Sequence, residues 1–419
     1  MKNDFLPRRG QRDRLRPGHR AAPSWERPHA FRTPEAVAAE EEQNPVTNTT
    51  AGFNNHGANK YGAAKQKGFK AWLKRLSKKQ RILLIATIVL VLASGGFAVY
   101  YFFFKPEPAK PAVIVKKEIP PPPAGQPLVS SLTGLPISDA TINQRPVTGV
   151  MIENSPDARP QSGLNQAGVV FEAVAEGGIT RFLTLFQDSE PDYIGPIRSV
   201  RPYYVIWATG FDAGIAHVGG SADALKMLRQ DHVTKDLDQF FNPGPYHRVS
   251  NRYAPHNMYS SVTALREMQQ QKGYTSTYTG FARKPEAKSA APNATSMDFN
   301  ISGAIYNPHY DYDAATNTYK RSEGGKPHID EKSGQQLSPK VVVALVMPQG
   351  RNGIYTTYNT LGSGEAFIFQ DGTVGKATWH KPGYKDQMTF TDGAGAPVKF
   401  NPGQTWLSVV GSTDRVSYK

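Results

Sequence analysis

The longest apolar run in the chain is ILLIATIVLVLASGGFAVYYFFF, Ile82 to Phe104, and it carries no charge. A helix needs about 20 such residues to cross the hydrocarbon core, so the pattern predicts one membrane span. Tyr100, Tyr101 and three phenylalanines give it an aromatic end suited to the lipid–water interface. Beyond it the apolar residues come in shorter pieces. TGVMIENS reads as a strand, and AGVVFEAVAEGGITRFLTLFQ as two strands around Gly177-Gly178. In DYIGPIRSVRPYYVIWATG a strand ends near Ile197 and a helix follows. Pro202 suits its first turn, and the residue before a proline avoids helical geometry. AGIAHVGG is a further strand, and SADALKMLRQ a second helix capped by Ser221 with Asp223 in its first turn. A strand–helix–strand unit of this length predicts parallel strands.

After about Met297 the pattern becomes short β-runs, among them KVVVALVMP, GEAFIFQDGTVGKATWHK and TWLSVV. They are broken by DAATN, QDGT and TDGAG, which have hairpin-turn chemistry. The expected fold is therefore an α/β (or α+β) domain with a partly parallel sheet over 128–274. A linker over 275–296 and a smaller, mostly antiparallel β domain over 297–419 follow. Trp379 and Trp406 are expected as core or rim aromatics.

The polar stretches add topology. Residues 1–64 show no apolar period and read as a disordered tail, 65–81 form a basic segment, and 105–127 form a proline-rich spacer. Residues 1–81 hold 18 Lys+Arg against 7 Asp+Glu, leaving 31 against 28 for the rest, so +11 of the net +14 belongs to the N-terminal part. Basic residues before the span put the N-terminus in the cytoplasm and the bulk of the chain outside. A cleaved signal peptide is the alternative. Its apolar region is only about 7–15 residues and ends at a small-residue cleavage site, so the length here favours a retained signal-anchor. Phe69, Trp72, Leu73 and Leu76 fall at helical spacing and suit a helix along the inner leaflet. With the basic excess confined to the tail and no recognition motif, nucleic acid is not the expected partner. The absence of cysteine excludes disulfides, thiolate metal sites and a cysteine nucleophile.

Candidate chemistry concentrates in the α/β part. If its strands are parallel, both strand-to-helix loops leave from one sheet edge. Arg198, Ser199 and Arg201 then approach Gly219, Gly220 and Ser221, with two helix N-termini facing the same space. Arginine suits phosphate or carboxylate there. Asn154 and Arg159 belong to the same rim, His217 lies near its mouth or within the core, and YHRVSNRYAPHN adds Arg248, His256 and Asn257, together with His247 and Arg252. A two-residue Gly-Gly turn sets Glu176 opposite Ile179 and Val174 opposite Arg181. Glu172, Glu176 and Arg181 then share one face. Glu172, Glu176 and Asp212 are the candidate acids for acid–base work or for a divalent cation. The alternative is that the arginines simply pair with these acids.

RPVTGVMIENSPDARPQSGLNQAGVVFEAVAEGGITRFLTLFQ, GPIRSVRPYY, HVGGS and APHN resemble the YerB-type family of bacterial lipoproteins (DUF3048), over essentially all of 128–419. The resemblance implies an envelope-facing protein with an N-terminal domain reaching APHN and a β-rich C-terminal domain, and it supplies no reaction. Family members are tethered by a lipid on a cysteine. This chain has none, and a membrane span takes the lipid's place. Three readings follow: a binding protein for an anionic cell-wall ligand or a partner's acidic tail, a metal-assisted phosphotransferase or hydrolase on phosphorylated or polyprenyl-linked glycans, or a structural adaptor for another envelope protein.

Overall fold

The computed structural model describes residues 76–99 and 127–419. The expected tail, most of the basic segment, the aromatic end of the apolar run and nearly all of the proline-rich spacer lie outside the described residues. The chain divides into two units, 1–107 and 108–419.

In the first unit, helix α1 spans Lys78–Val99. Ile82, Leu83, Leu90 and Leu92 are 62–70 % exposed on it. Its apolar residues occupy every side of the helix and form no single stripe. Among the described residues no helix is long and apolar enough to cross a membrane. The run expected to do so continues past Val99 to Phe104.

In the second unit, β1 (Thr148–Glu153), β2 (Val169–Glu176), β3 (Ile179–Phe186), β4 (Gly214–His217) and β5 (Lys235–Asp238) come from the first segment. Helices α2 (Pro202–Thr209) and α3 (Ala222–Arg229) follow the loops as the sequence predicts. Arg201 is the extended residue before Pro202, and the Ser221 hydroxyl accepts from the Ala224 N–H as N-cap. A two-stranded ribbon, β6 (His247–Arg248) and β7 (Met258–Tyr259), precedes α4 (Val262–Gln271). The second segment opens with β8 (Ser296–Phe299), β9 (Pro308–Asp313), β10 (Thr318–Glu323) and β11 (Lys326–Pro327). Then come β12 (Val341–Val346), the hairpin β13 (Gln349–Asn352) and β14 (Tyr355–Tyr358), β15 (Gly362–Gln370), β16 (Thr373–Lys381), β17 (Thr389–Asp392), β18 (Thr405–Val410) and β19 (Val416–Tyr418).

The two segments do not build two separate sheets. β18 lies parallel to β2 on one side and to β12 on the other. One 12-stranded sheet therefore runs β17-β16-β15-β12-β18-β2-β3-β1-β4-β5, with the hairpin attached to β2. A smaller antiparallel sheet, β11-β10-β9-β8-β19, holds the other strands of the second segment. Alternation along the strands assigns the layers. Val341, Val343 and Leu345 of β12 join Leu183, Leu185 and the α2 aromatics in one cluster, while Val342 and Ala344 face Tyr310 and Tyr319 of the small sheet. α2 and α3 thus cover one face of the large sheet. On the other face α4 covers the β1–β5 wing and the small sheet covers the β2–β16 wing. In the expected 275–296 linker Phe281 is buried and Arg283 bridges to Phe400, while most of 285–293 is exposed. Trp379 and Trp406 are both core residues.

Because both segments share strands and cores, residues 127–419 should unfold in one transition. Backbone circular dichroism and tryptophan fluorescence melts are expected to coincide. Two resolved transitions would show that the segments fold independently.

Candidate functional site

β1, β4 and β5 are mutually parallel, so Glu153, His217 and Asp238 end at the same edge of the large sheet. The expected approach of the two loops to each other is present and is made by backbone hydrogen bonds. Val200 N–H donates to Gly219 O (3.0 Å), Ser221 N–H to Val200 O (3.3 Å) and Val218 N–H to Arg198 O (3.2 Å). The Ser199 hydroxyl donates to Val218 O (3.0 Å). Gly219 supplies the left-handed backbone that this turn needs, at φ +63°.

These bonds use the groups that an anion cup would offer. Gly219 N–H faces the buried Asp238 carboxylate (3.4 Å), so the Gly-Gly-Ser half of the edge already holds negative charge. His217 is fully buried, with Nδ1 2.8 Å from Gly219 O and Nε2 2.9 Å from Asp236. Asn154 is also turned inward. Its amide donates to Thr180 Oγ1 and to Glu323 (both 2.7 Å) and accepts from Arg159 and Gln161. Arg159 lies between Asn154, Ile305 O and Glu323. Arg248 donates to Asn257 Oδ1 (2.6 Å) on a separate loop.

Glu153, which sequence reasoning passed over, organises the rim. Its carboxylate lies 3.2 Å from Arg198 Nε and 3.0 Å from His256 Nδ1, and it accepts from the Ser155 hydroxyl (3.0 Å). Ser155 lies 3.3 Å from that same Nδ1. In a nucleophilic triad the serine and the acid use opposite ring nitrogens, so this trio is an ion-pair cluster and does not activate the serine.

The acids do not form one group. The Gly-Gly turn pairs Glu176 with Ile179 as expected, but a bulge at Ala175 puts Val174 opposite Thr180 and Ala173 opposite Arg181. One extra residue inverts the facing of everything beyond it. Glu172 therefore enters the core beside Phe182, and Glu176 turns to the opposite face. Asp212 lies past the C-terminus of α2 at the other edge, bonded to Lys235 and Thr277 N–H. Among the described residues no group of three His, Asp or Glu is placed to hold a metal ion. A cavity of about 500 Å³ between α4 and the 242–245 loop contains none of the expected site residues.

Two ion clusters result. Around Glu172, Arg321 of β10 is fully buried and donates to Glu172 (2.9 Å), Glu323 (3.1 Å), Tyr310 Oη (2.9 Å) and His328 Nδ1 (3.0 Å). The other Glu172 oxygen accepts from Trp406 Nε1 (3.0 Å) and Ser408 Oγ (2.7 Å). His328 accepts at Nδ1, so it carries its proton on Nε2, toward Gln161. Burial and the neighbouring arginines hold its basicity well below the usual imidazole range. Arg321, Arg159, Glu172 and Glu323 balance two against two. Burial raises the Glu323 carboxyl to about 7.

On the opposite face, Arg181 and Arg201 share a single acid. Glu176 Oε2 accepts from Arg201 Nε (3.1 Å) and Nη2 (2.6 Å), and Oε1 accepts from Arg181. The arginine side chains are 4 % and 5 % exposed, against 23 % for Glu176. Arg181 Nη1 donates to Ser199 O (2.9 Å), while its buried Nε–H has no acceptor. The Tyr355 ring covers Arg201 at 4.8 Å. Burial, and next the charge of Arg181, hold the pKa of the Arg201 guanidinium below its ordinary value. Arg201 was legible as a candidate. Its pairing with one of the acids was the alternative reading, and the structure shows that pairing with Glu176, covered by Tyr355 of β14.

A domain model described as "Protein of unknown function (DUF3048) N-terminal domain" matches residues 132–275, and the corresponding C-terminal domain matches 297–407. The Bacillus subtilis (strain 168) protein "Putative lipoprotein YerB" is 32 % identical over 300 residues, covering 69 % of this chain and 88 % of that protein. A crystal structure of YerB from Bacillus subtilis superposes with a TM-score of 0.62 at 28 % identity. The match covers 70 % of this chain and 99 % of that one.

Glu323 gives a pH prediction. Its folded-state carboxyl titrates near 7, above the ordinary 4.5, so its contribution to stability is complete below about 4.5 and is lost as pH rises through 7. Glu323→Gln mimics the protonated form. Its melting temperature should match the wild type at pH 5 and exceed it at pH 8. Parallel pH profiles for the two proteins would remove Glu323 from this role.

Proposed function

The chain belongs to the DUF3048 family of YerB-like proteins, and on that premise we propose that it is a membrane-tethered, extracytoplasmic protein that binds an anionic envelope ligand. Two nearly buried guanidiniums sharing one carboxylate carry this reading. Burying a charge without a counter-charge costs several kcal/mol, and an arriving phosphate or carboxylate would supply the missing one through charge-assisted hydrogen bonds. The reading keeps Arg201 from the sequence expectation and adds Arg181, with Ser199 presenting its carbonyl to Arg181. Arg198 and Arg159 already face acids of their own, and the Gly-Gly-Ser turn stands over Asp238.

The tether rests on α1 and the apolar run that continues it. A helix apolar on every side suits lipid better than a protein surface. The preceding basic residues orient it with the N-terminus in the cytoplasm. The relative's name as a lipoprotein supports the same side of the membrane, reached there by a different anchor.

Residues 127–419 at low salt should be stabilised by millimolar phosphate-type anions, with melting raised by about 2 °C at saturating ligand. Arg201→Gln leaves Arg181 and Glu176 balanced one to one, so the shift should vanish in that variant. A wild-type protein indifferent to every anion at low salt would overturn the reading.

A further inference from the structure

The charge count at Glu176 says more than that an anion binds. Resting on the anion-binding reading, we propose that the Arg181–Arg201 pair takes a group of charge −1, a phosphodiester or a carboxylate, bound beside Glu176 and beneath Tyr355, and discriminates against a phosphate monoester dianion.

The argument is one of neutrality around two nearly buried guanidiniums. Arg181 and Arg201 contribute +2 and Glu176 −1, and the neighbouring Tyr203, Tyr204 and Tyr358 are phenols whose ionisation burial opposes. One further negative charge makes the cluster neutral. A dianion leaves it at −1, with Glu176 pressed against the ligand, and like charges at contact are penalised most where the dielectric is low. Both Glu176 oxygens are already committed to the arginines. The unpartnered Arg181 Nε–H is the donor left for the ligand.

Access fits the same picture. The β13–β14 hairpin meets β2 through one residue pair, Tyr355 opposite Glu176. All of β13 is exposed, as is Ile354 at the turn (69 %). Tyr358 stays anchored by its hydroxyl, which accepts from Val174 N–H (3.1 Å). Tyr355 is thus the movable cover over Arg201, and its ring can close again over a bound group of low charge.

The test compares dimethyl phosphate, methyl phosphate and acetate at pH 8 and low salt, by calorimetry and thermal shift on residues 127–419. Methyl phosphate is a dianion there, since its second ionisation lies near pH 6, and the other two are monoanions. Dimethyl phosphate or acetate should bind about 10-fold tighter than methyl phosphate, and the stronger of the two identifies the phosphodiester or carboxylate source. Glu176→Gln removes one negative charge, so methyl phosphate should become the tighter ligand. Should that variant fail to fold by circular dichroism, the wild-type order alone decides. Tighter or equal binding of methyl phosphate to wild type overturns the charge rule while leaving the anion site intact. If no ligand shows binding that Arg201→Gln abolishes, the anion site itself is refuted.

Discussion

Arg321 has no exposed surface, and the rule it obeys governs the rest of the molecule: an ion taken out of water must meet opposite charge and fill its hydrogen bonds. The small sheet carries the arginine and the large sheet carries Glu172, its partner. Trp406, from a third place in the sequence, closes the cluster with its ring 4.5 Å from the guanidinium and its N–H on the same glutamate. The segments that looked like separate domains therefore cannot part without stranding a buried charge. β18, inserted beside β2, holds Trp406 and Ser408 against that same glutamate.

The same rule separates the two faces of β2. Toward the small sheet, two arginines meet two glutamates, and the strain of confinement appears only as a reluctant carboxyl at Glu323. Toward α2, two arginines meet one. The bulge at Ala175 creates that difference. In a strand without the bulge Glu172, Glu176 and Arg181 would share one face, so the bulge is what parts the two glutamates. The unequal charge on the two faces of β2 thus follows from the register of one hairpin.

The periodic elements were legible in the sequence. The Pro202 helix start, the Ser221 cap, the Gly177-Gly178 hairpin and the meeting of the two loops follow from turn and capping chemistry that acts within a few residues. Other features depended on distant sequence. In TYKRSE the alternating Tyr319, Arg321 and Glu323 are all buried. Their alternation is visible, but the covering layer combines nearby β12 with β2, whose Glu172 lies 149 residues from Arg321. The bulge left no mark in composition either, so Glu172 and Glu176 looked like a pair. The rim arginines were visible as residues, but which acid each one meets depends on the placing of Glu153 and Glu176.

The most direct measurement is anomalous diffraction from crystals of residues 127–419 soaked in bromide, a monoanion with a clear signal. The charge imbalance predicts a bromide peak within about 4 Å of the Arg181 and Arg201 guanidiniums, with Tyr355 displaced to admit it. Bromide confined to exposed lysines, with the arginine pair unchanged, would contradict the account.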